Sequence, residues 1–172
     1  RAPERAQYPE VKSADVAELE AALGRPVSRA IPPATVNVGP IWVIAQFADA
    51  DEVIGLKPNF TRLAALERRL RVTGVTVFGK RTSGAAAIEV RSFAPSDGIE
   101  EDPVCGSGNG SVAAFLWAAH PVAGGMHYTA AQGRCVGRDG KVDVTIDANG
   151  KITLGGACIT TVNGTLLYEG GV

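Results

Sequence analysis

The sequence has few of the residues that several common kinds of function require. Its 172 residues include three cysteines and two histidines, and no CxxC pair occurs, which disfavours a disulfide-rich fold and a metal site. Aromatic residues make up only 6%, against 21 glycines, which predicts many turns and a core of small side chains. The 17 basic and 18 acidic residues give a net charge of -1. This balance disfavours a nucleic-acid-binding protein, which would normally carry an excess of basic residues.

Long hydrophobic runs are also missing. None approaches the roughly 20 residues that span a bilayer, and residues 1–10 lack the apolar stretch of a secretory signal. Together with the low cysteine count, this predicts a cytoplasmic protein with no membrane partner. Hydrophobic residues still make up 45% of the chain, enough for a packed core. The length predicts one domain over residues 1–172.

Helical and strand patterns together predict an α+β fold, a mixed sheet curled around one buried helix. Ser13 is a candidate N-cap of a helix that stops at Gly24, and Asn59 begins a second helix with Glu67 on its solvated side. Trp42 and Trp117 are expected in the core. The β-like runs are 34–47 (broken at 39–40), 75–78, 86–93, 127–131, 141–146, 151–154 and 158–168.

A glycine-rich loop leads into the helix that is expected to be buried. Val112–Ala119 is apolar on every side, and glycines at 106, 108 and 110 stand before it. Free N–H groups at a helix start, approached closely through glycine, form a pocket for a carboxylate, phosphate or enolate. Ser107 and Asn109 could add hydrogen bonds. The alternative is an ordinary turn in which Ser111 is the N-cap.

Two chemically active side chains lie at the entrance to this loop. Asp102 could position a substrate ammonium group or relay a proton. Cys105 could act as base or nucleophile, because a thiol at a helix N-terminus tends toward a lowered pKa. Cys105 could equally be an ordinary small buried residue. Cys135 and Cys158 fall in strand-like segments and are expected in the core.

The loop and its flanks match a known pattern. Glu101–Gly110, followed by the alanine-rich helix, resembles the phenazine-biosynthesis PhzF-like family of isomerases. Arg91–Pro95 looks like the family's Arg-x-Phe-Ala-Pro segment, Asn37–Trp42 its Gly-Pro strand and Gln132–Arg138 its closing Gly-Arg segment. The loop motif is the specific part of the match, and the resemblance covers nearly the whole chain.

The resemblance implies a fold of the diaminopimelate-epimerase type, with two similar domains and an active site between them. The chain looks like the C-terminal domain. The N-terminal domain, in the same or a separate chain, would supply a general acid/base glutamate. The family's reaction moves a proton on a small amino or hydroxy carboxylic acid without a cofactor or metal, and a homodimer is expected.

The resemblance also implies roles for individual residues. Asp102 would take the family's second carboxylate role at the substrate amine or hydroxyl. The substrate carboxylate would be held by the start of the helix, at Gly106, Ser107 and Gly108. Arg91 is expected near the site, fixing Asp102, although as an outward strand residue it would have no role.

One residue departs from the family pattern. Cys105 stands where most PhzF-like loops have threonine, and Cys-Gly-Ser-Gly instead looks like the thiol loop of diaminopimelate epimerase and proline racemase. Two alternatives therefore stay open. One is a cysteine-dependent amino-acid racemase or epimerase, and the other is a non-catalytic half-domain that binds a small anion.

Overall fold

The computed structural model describes residues 8–165 and 167. Its helices are α1 (Ser13–Leu23), α2 (Ala50–Ile54), α3 (Phe60–Leu70) and α4 (Gly106–Ala119). Its strands are β1 (Ala34–Asn37), β2 (Ile41–Gln46), β3 (Gly74–Lys80), β4 (Ile88–Ala94), β5 (Ile99–Asp102), β6 (Met126–Gln132), β7 (Gly140–Ile146) and β8 (Ile152–Gly155). Short 3₁₀ turns cover Pro95–Asp97 and Arg134–Val136.

The strands form one mixed sheet in the order β1-β2-β3-β4-β6-β7-β8, with β5 as an extra strand on β4. The pairs β2–β3 and β4–β6 are parallel, and all the others are antiparallel. Each parallel pair needs a crossover connection, and such crossovers are right-handed almost without exception. The crossovers from β2 to β3 and from β4 to β6 step the same way along the sheet, but β2 and β4 run in opposite directions. The helices in the two crossovers must therefore cover opposite faces of the sheet.

The inner face of the sheet packs on α4. Val112, Ala113 and Phe115 of α4 join Ile44, Val90 and other inward side chains in one core cluster. The helix has no polar side because the curled sheet surrounds it. The predicted sheet around a buried helix is therefore confirmed.

The outer face of the sheet is also covered. Helices α1 and α3 pack against Val43, Val77 and Phe93 in a second core cluster. This layer overturns two expectations of exposure, because Glu67 and Arg91 are buried, and Glu89 of β4 is buried as well. A period-two pattern identifies the two faces of a strand, but it does not say whether helices cover the second face.

The helix boundaries agree with the sequence at three points and differ at one. Gly24 ends α1 in the left-handed conformation, at φ 76°. Asn59 caps α3 by accepting from the Arg62 N–H, and α4 ends at Ala119, the last residue of the apolar run. The expected cap Ser13 is instead the first residue of α1, and Lys12 takes the N-cap position without a side-chain bond.

Several features depart from the sequence predictions. Helix α2 and strand β5 were not expected. Of the predicted strand 158–168, residues 158–165 and 167 form no strand, and the remaining positions lie outside the described residues. Cys135 and Cys158 are exposed rather than in the core, and Trp117 is only half-buried. Within the described residues, no helix is both long and apolar enough to cross a membrane.

Candidate functional site

The site lies where the sheet divides. One edge of β4 pairs with β6 over Ile88–Val90, and with β5 over Ser92–Ala94. Strand β5 ends at Asp102 and β6 ends at Gln132, so the ends of two strands meet at this fork. The chain leaves β5 there and turns into the first residue of α4. The fork therefore places the predicted glycine-rich loop at the N-terminus of α4, on the inner side of the sheet.

Cys105 is the N-cap of α4. Its backbone is extended, and its Sγ accepts a hydrogen bond from the Gly108 N–H at 3.3 Å. The three glycines therefore belong to the first turns of the helix. The alternative in which Ser111 caps the helix is wrong, since Ser111 is fully buried within α4. This start leaves the N–H groups of Gly106 and Ser107 with no acceptor among the described residues.

Gln132 fixes the loop from the end of β6. Its Oε1 accepts from the Cys105 N–H at 3.1 Å and from Asn109 Nδ2 at 2.7 Å, while its Nε2 donates to the Asp102 carbonyl at 3.0 Å. The side chain is 1% exposed. The sequence analysis did not predict this role of Gln132. The one sign of it in the sequence is a polar side chain directly after the predicted strand 127–131.

Asp102 is half-buried on the same side of the sheet as Ser92, its register partner. Its Oδ1 accepts from the Val104 N–H at 2.9 Å. The expected contact with Arg91 is wrong. Neighbouring strand residues point to opposite faces, so Arg91 lies on the outer face and pairs with Glu101 at 2.7 Å. The Arg91 guanidinium also donates to the Val53 and Leu56 carbonyls, and it holds α2 against the sheet.

Burial of the Cys105 thiol favours its protonated form. Its side chain is 5% exposed, and loss of solvent raises the pKa of the thiol above its usual value. Hydrogen bonds from Gly108, Ser107 and Ser92 oppose this rise, while the charge of Asp102 adds to it. The expectation of a lowered pKa is therefore wrong, because desolvation outweighs the helix terminus.

Ser107 and Asn109 differ in how they face the site. The Ser107 Oγ is half-buried, accepts from Trp42 Nε1 at 3.1 Å and lies 3.7 Å from Cys105 Sγ. Asn109 is 1% exposed and donates to the Cys105 carbonyl at 2.8 Å and to Gln132. The Asn109 amide therefore stabilises the loop from inside rather than facing solvent.

Chemically, the site combines a carboxylate, a thiol, a hydroxyl and, at a helix start, two N–H groups with no acceptor among the described residues. This set can bind an anion and exchange a proton with it. Across the part of the chain that the structure describes, no three His, Cys, Asp or Glu side chains gather as metal ligands.

Comparison with known proteins places this site in context. Antisense-enhancing sequence 1 of Schizosaccharomyces pombe is 35% identical over 156 residues, covering 87% of this chain and 52% of that protein. An uncharacterized isomerase of the same organism is 35% identical over 140 residues, with coverage of 77% and 75%. A third relative, an uncharacterized isomerase of Deinococcus radiodurans, is 34% identical, with coverage of 77% and 44%. The chain thus spans about half the length of two of these three relatives.

Solved structures show the same fold. A PhzF-family phenazine biosynthesis protein of Bacillus anthracis superposes with a TM-score of 0.70 at 19% identity, covering 86% of this chain and 52% of that one. A predicted epimerase of Pseudomonas aeruginosa superposes with a TM-score of 0.68 at 23% identity, with coverage of 88% and 52%. The diaminopimelate-epimerase-like fold expected from the motifs is confirmed.

The family model described as phenazine biosynthesis-like protein matches residues 2–164. This match spans both core clusters and the whole of the site at the fork. The resemblance inferred from the loop motif is therefore confirmed, and the chain belongs to the PhzC-PhzF family.

Proposed function

We propose that this chain forms part of an isomerase or epimerase that removes and returns a proton on a small amino or hydroxy carboxylic acid, without a cofactor. The observation that carries the proposal is the meeting of Asp102, Cys105 and the open start of α4 at one fork in the sheet. Relatives of the chain are named isomerases, and this supports the same reaction class.

The helix start suits the carboxylate of such a substrate. The Gly106 and Ser107 N–H groups have no acceptor within the described residues, and the helix dipole favours negative charge at this end. Removal of the α-proton moves charge onto the substrate carboxylate as an enediolate. The same N–H groups would stabilise that charge as it develops.

Asp102 would bind the substrate amine or hydroxyl. Asp102 stands three residues before Cys105, the N-cap of α4, and its side chain lies on the inner side of the sheet together with Ser92. A carboxylate here attracts an ammonium group and orients the α-carbon between Asp102 and the α4 N-terminus. The general acid/base glutamate that the family resemblance implies would come from the N-terminal domain, in the same or a separate chain.

The state of Cys105 favours a second candidate mechanism. Burial raises the pKa of this thiol, so at neutral pH it carries a proton that it can give to a carbanion. In this alternative Cys105 is the acid of a cysteine-dependent racemase, and a facing group serves as the base. Its neighbour Ser107 lies close enough to hydrogen-bond the resulting thiolate.

The experiment is solvent exchange at the substrate α-carbon. The full-length gene product is incubated in D₂O with a panel of small L- and D-amino and hydroxy acids, and loss of the α-proton signal is followed by NMR. We expect exchange on at least one acid, and a loss of at least about 100-fold in Asp102→Asn. An equal loss in Cys105→Ala supports the racemase mechanism, whereas retained exchange supports the PhzF-like one.

Matched controls are the exposed residues Asp139 and Cys135. Asp139→Asn and Cys135→Ala should exchange at the wild-type rate. Exchange that survives both site variants would place the reaction elsewhere and overturn the proposal. Carboxylate binding in calorimetry without exchange on any acid would also overturn it, in favour of a non-catalytic anion-binding domain.

A further inference from the structure

Two hydroxyl groups accompany the Gly108 N–H around the sulfur of Cys105. Ser107 Oγ lies 3.7 Å from Sγ on the open side of the site. Ser92, from β4, lies beside the thiol on its buried side, since a Cβ on Gly108 would be 2.6 Å from Ser92 Oγ and 3.1 Å from Cys105 Sγ. The sulfur therefore has three donors or potential donors around it, two of which are rotatable hydroxyls.

Each of these hydroxyls receives a hydrogen bond from a residue outside the predicted site. Trp42 Nε1, on β2, donates to Ser107 Oγ at 3.1 Å. Thr76 Oγ1, on β3, donates to Ser92 Oγ at 3.0 Å. Trp42 is 3% exposed, and Thr76 and Ser92 are fully buried. Water therefore has little access to the bond between Thr76 and Ser92.

An incoming donor limits what a hydroxyl can do. A serine hydroxyl has one proton and two acceptor lone pairs. When one lone pair accepts from a fixed donor, the hydroxyl proton must point elsewhere, and at Ser107 and Ser92 the neighbouring acceptor is Cys105 Sγ. Gly108 permits this arrangement, because a Cβ there would lie 2.6 Å from Ser92 Oγ and 2.8 Å from Thr76 Oγ1.

We propose that Trp42 and Thr76 are positioning residues that commit the Ser107 and Ser92 hydroxyls to donate toward Cys105 Sγ. The arrangement stabilises the sulfur when it has lost its proton. Asp102, on β5, is the charged group that acts in the opposite direction. The catalytic meaning of this arrangement rests on the proposed function, but its effect on the thiol does not.

The test measures the reactivity of Cys105 without any substrate. Cys135 and Cys158, both exposed, are first replaced by serine so that Cys105 is the only thiol. The rate of alkylation by iodoacetamide is then followed from pH 6 to 11, because the thiolate is the reacting form. In Trp42→Phe and Thr76→Val we expect the midpoint of the curve of alkylation rate against pH to move to higher pH. At pH 8 the rate should fall about threefold or more.

A double-mutant cycle separates positioning from a structural effect. In a Ser107→Ala background, Trp42→Phe should cause no further change, because the hydroxyl that it orients is gone. Thr76→Ser keeps a hydroxyl and should keep the wild-type midpoint. Matched controls are Trp117→Phe, at the far end of α4 beside Gly150, and Thr129→Val, whose hydroxyl bonds Asp143 on the surface. Both should leave the profile unchanged.

The outcomes are distinct. Unchanged midpoints in folded Trp42→Phe and Thr76→Val proteins, with folding checked by thermal unfolding, would overturn the inference. So would an additive effect of Trp42→Phe on Ser107→Ala. Thr76→Val matches the shape of threonine and tests the inference even where Trp42→Phe fails to fold. Loss of α-proton exchange bears only on the proposed function, since alkylation needs no turnover.

Discussion

A single buried amide, that of Gln132, joins the two strand ends at the site. We expect Gln132→Leu to lower the free energy of unfolding by at least about 2 kcal/mol, because the Cys105 N–H and one of the two Asn109 Nδ2 protons lose their acceptor, while the other Nδ2 proton keeps the Cys105 carbonyl. Urea denaturation measures the change. Gln46→Leu is the matched control, since its Oε1 is already buried with no partner among the residues that the structure describes. Replacing Gln46 should leave the free energy of unfolding unchanged or higher. Equal losses of that free energy in both variants would contradict the prediction.

The buried carboxyl of Glu67 makes stability depend on pH. Burial raises the pKa of Glu67, although the Ser96 N–H donates to its Oε2 at 2.9 Å. The folded protein therefore holds this proton more tightly than the unfolded chain, and stability falls as pH rises from the unfolded pKa, about 4, through the folded one. Glu67→Gln should thus raise the free energy of unfolding at pH 7 and make no difference below about pH 4.

Urea denaturation between pH 4 and 8 measures this effect. Glu18→Gln is the control, because Glu18 is an exposed glutamate that pairs with Arg62 at 3.4 Å. Its difference from wild type should be small, within about 0.5 kcal/mol. A gain in Glu67→Gln that persists undiminished at pH 4 would show that the carboxylate charge is not its cause.

Helix α4 contains two glycines with opposite surroundings. A Cβ at Gly106 would meet nothing within 4 Å, whereas a Cβ at Gly108 would meet two buried hydroxyls within 3 Å. Gly106→Ala should therefore stabilise the protein by about 0.4–1 kcal/mol, through the lower entropy of the unfolded chain. Gly108→Ala should destabilise it by at least about 1 kcal/mol. Thermal unfolding of the pair tests both, and a gain in both would contradict the packing around Cys105.

The elements differ in how well their sequences predict them. The all-round apolarity of Val112–Ala119 is sufficient to predict a buried helix, and Gly24 and Asn59 identify helix ends through local geometry. The outer layer is not predictable in this way. Arg91 and Glu89 carry the charges of an exposed strand face, yet this face is covered and both are buried, where Glu101 pairs with Arg91 and Arg81 pairs with Glu89. Only tertiary packing determines that cover.

The residues of the candidate site could be predicted from the sequence, but the hydrogen bonds that join them to other strands could not. The loop residues Asp102, Cys105 and Ser107 could be identified because glycine spacing and the family motif identify a helix start. Gln132 and Trp42 could not, since each reaches the loop from a distant strand. Cys135 was misplaced for another reason, because it lies in a short 3₁₀ turn at the surface and not in a strand.

At the scale of the whole molecule, apolar side chains are exposed in the described segment that follows β8. Ile159 and Val162 are 89% and 86% exposed, in a segment that forms no strand in the described residues although its sequence is β-like. Exposed apolar groups of this size favour association. We expect the chain to dimerise with this segment in the interface, as the family resemblance also implies.

Sedimentation velocity over a range of concentrations measures this association. Replacing both Ile159 and Val162 with serine should weaken the dimer at least tenfold, because each buried side chain of this size contributes roughly 1.5–3 kcal/mol. The matched control is the pair Val38→Ser and Val122→Ser, whose side chains are 40% and 43% exposed at other places on the surface. A chain that stays monomeric at all concentrations, or equal weakening in both pairs, would mean that the segment after β8 does not form the interface.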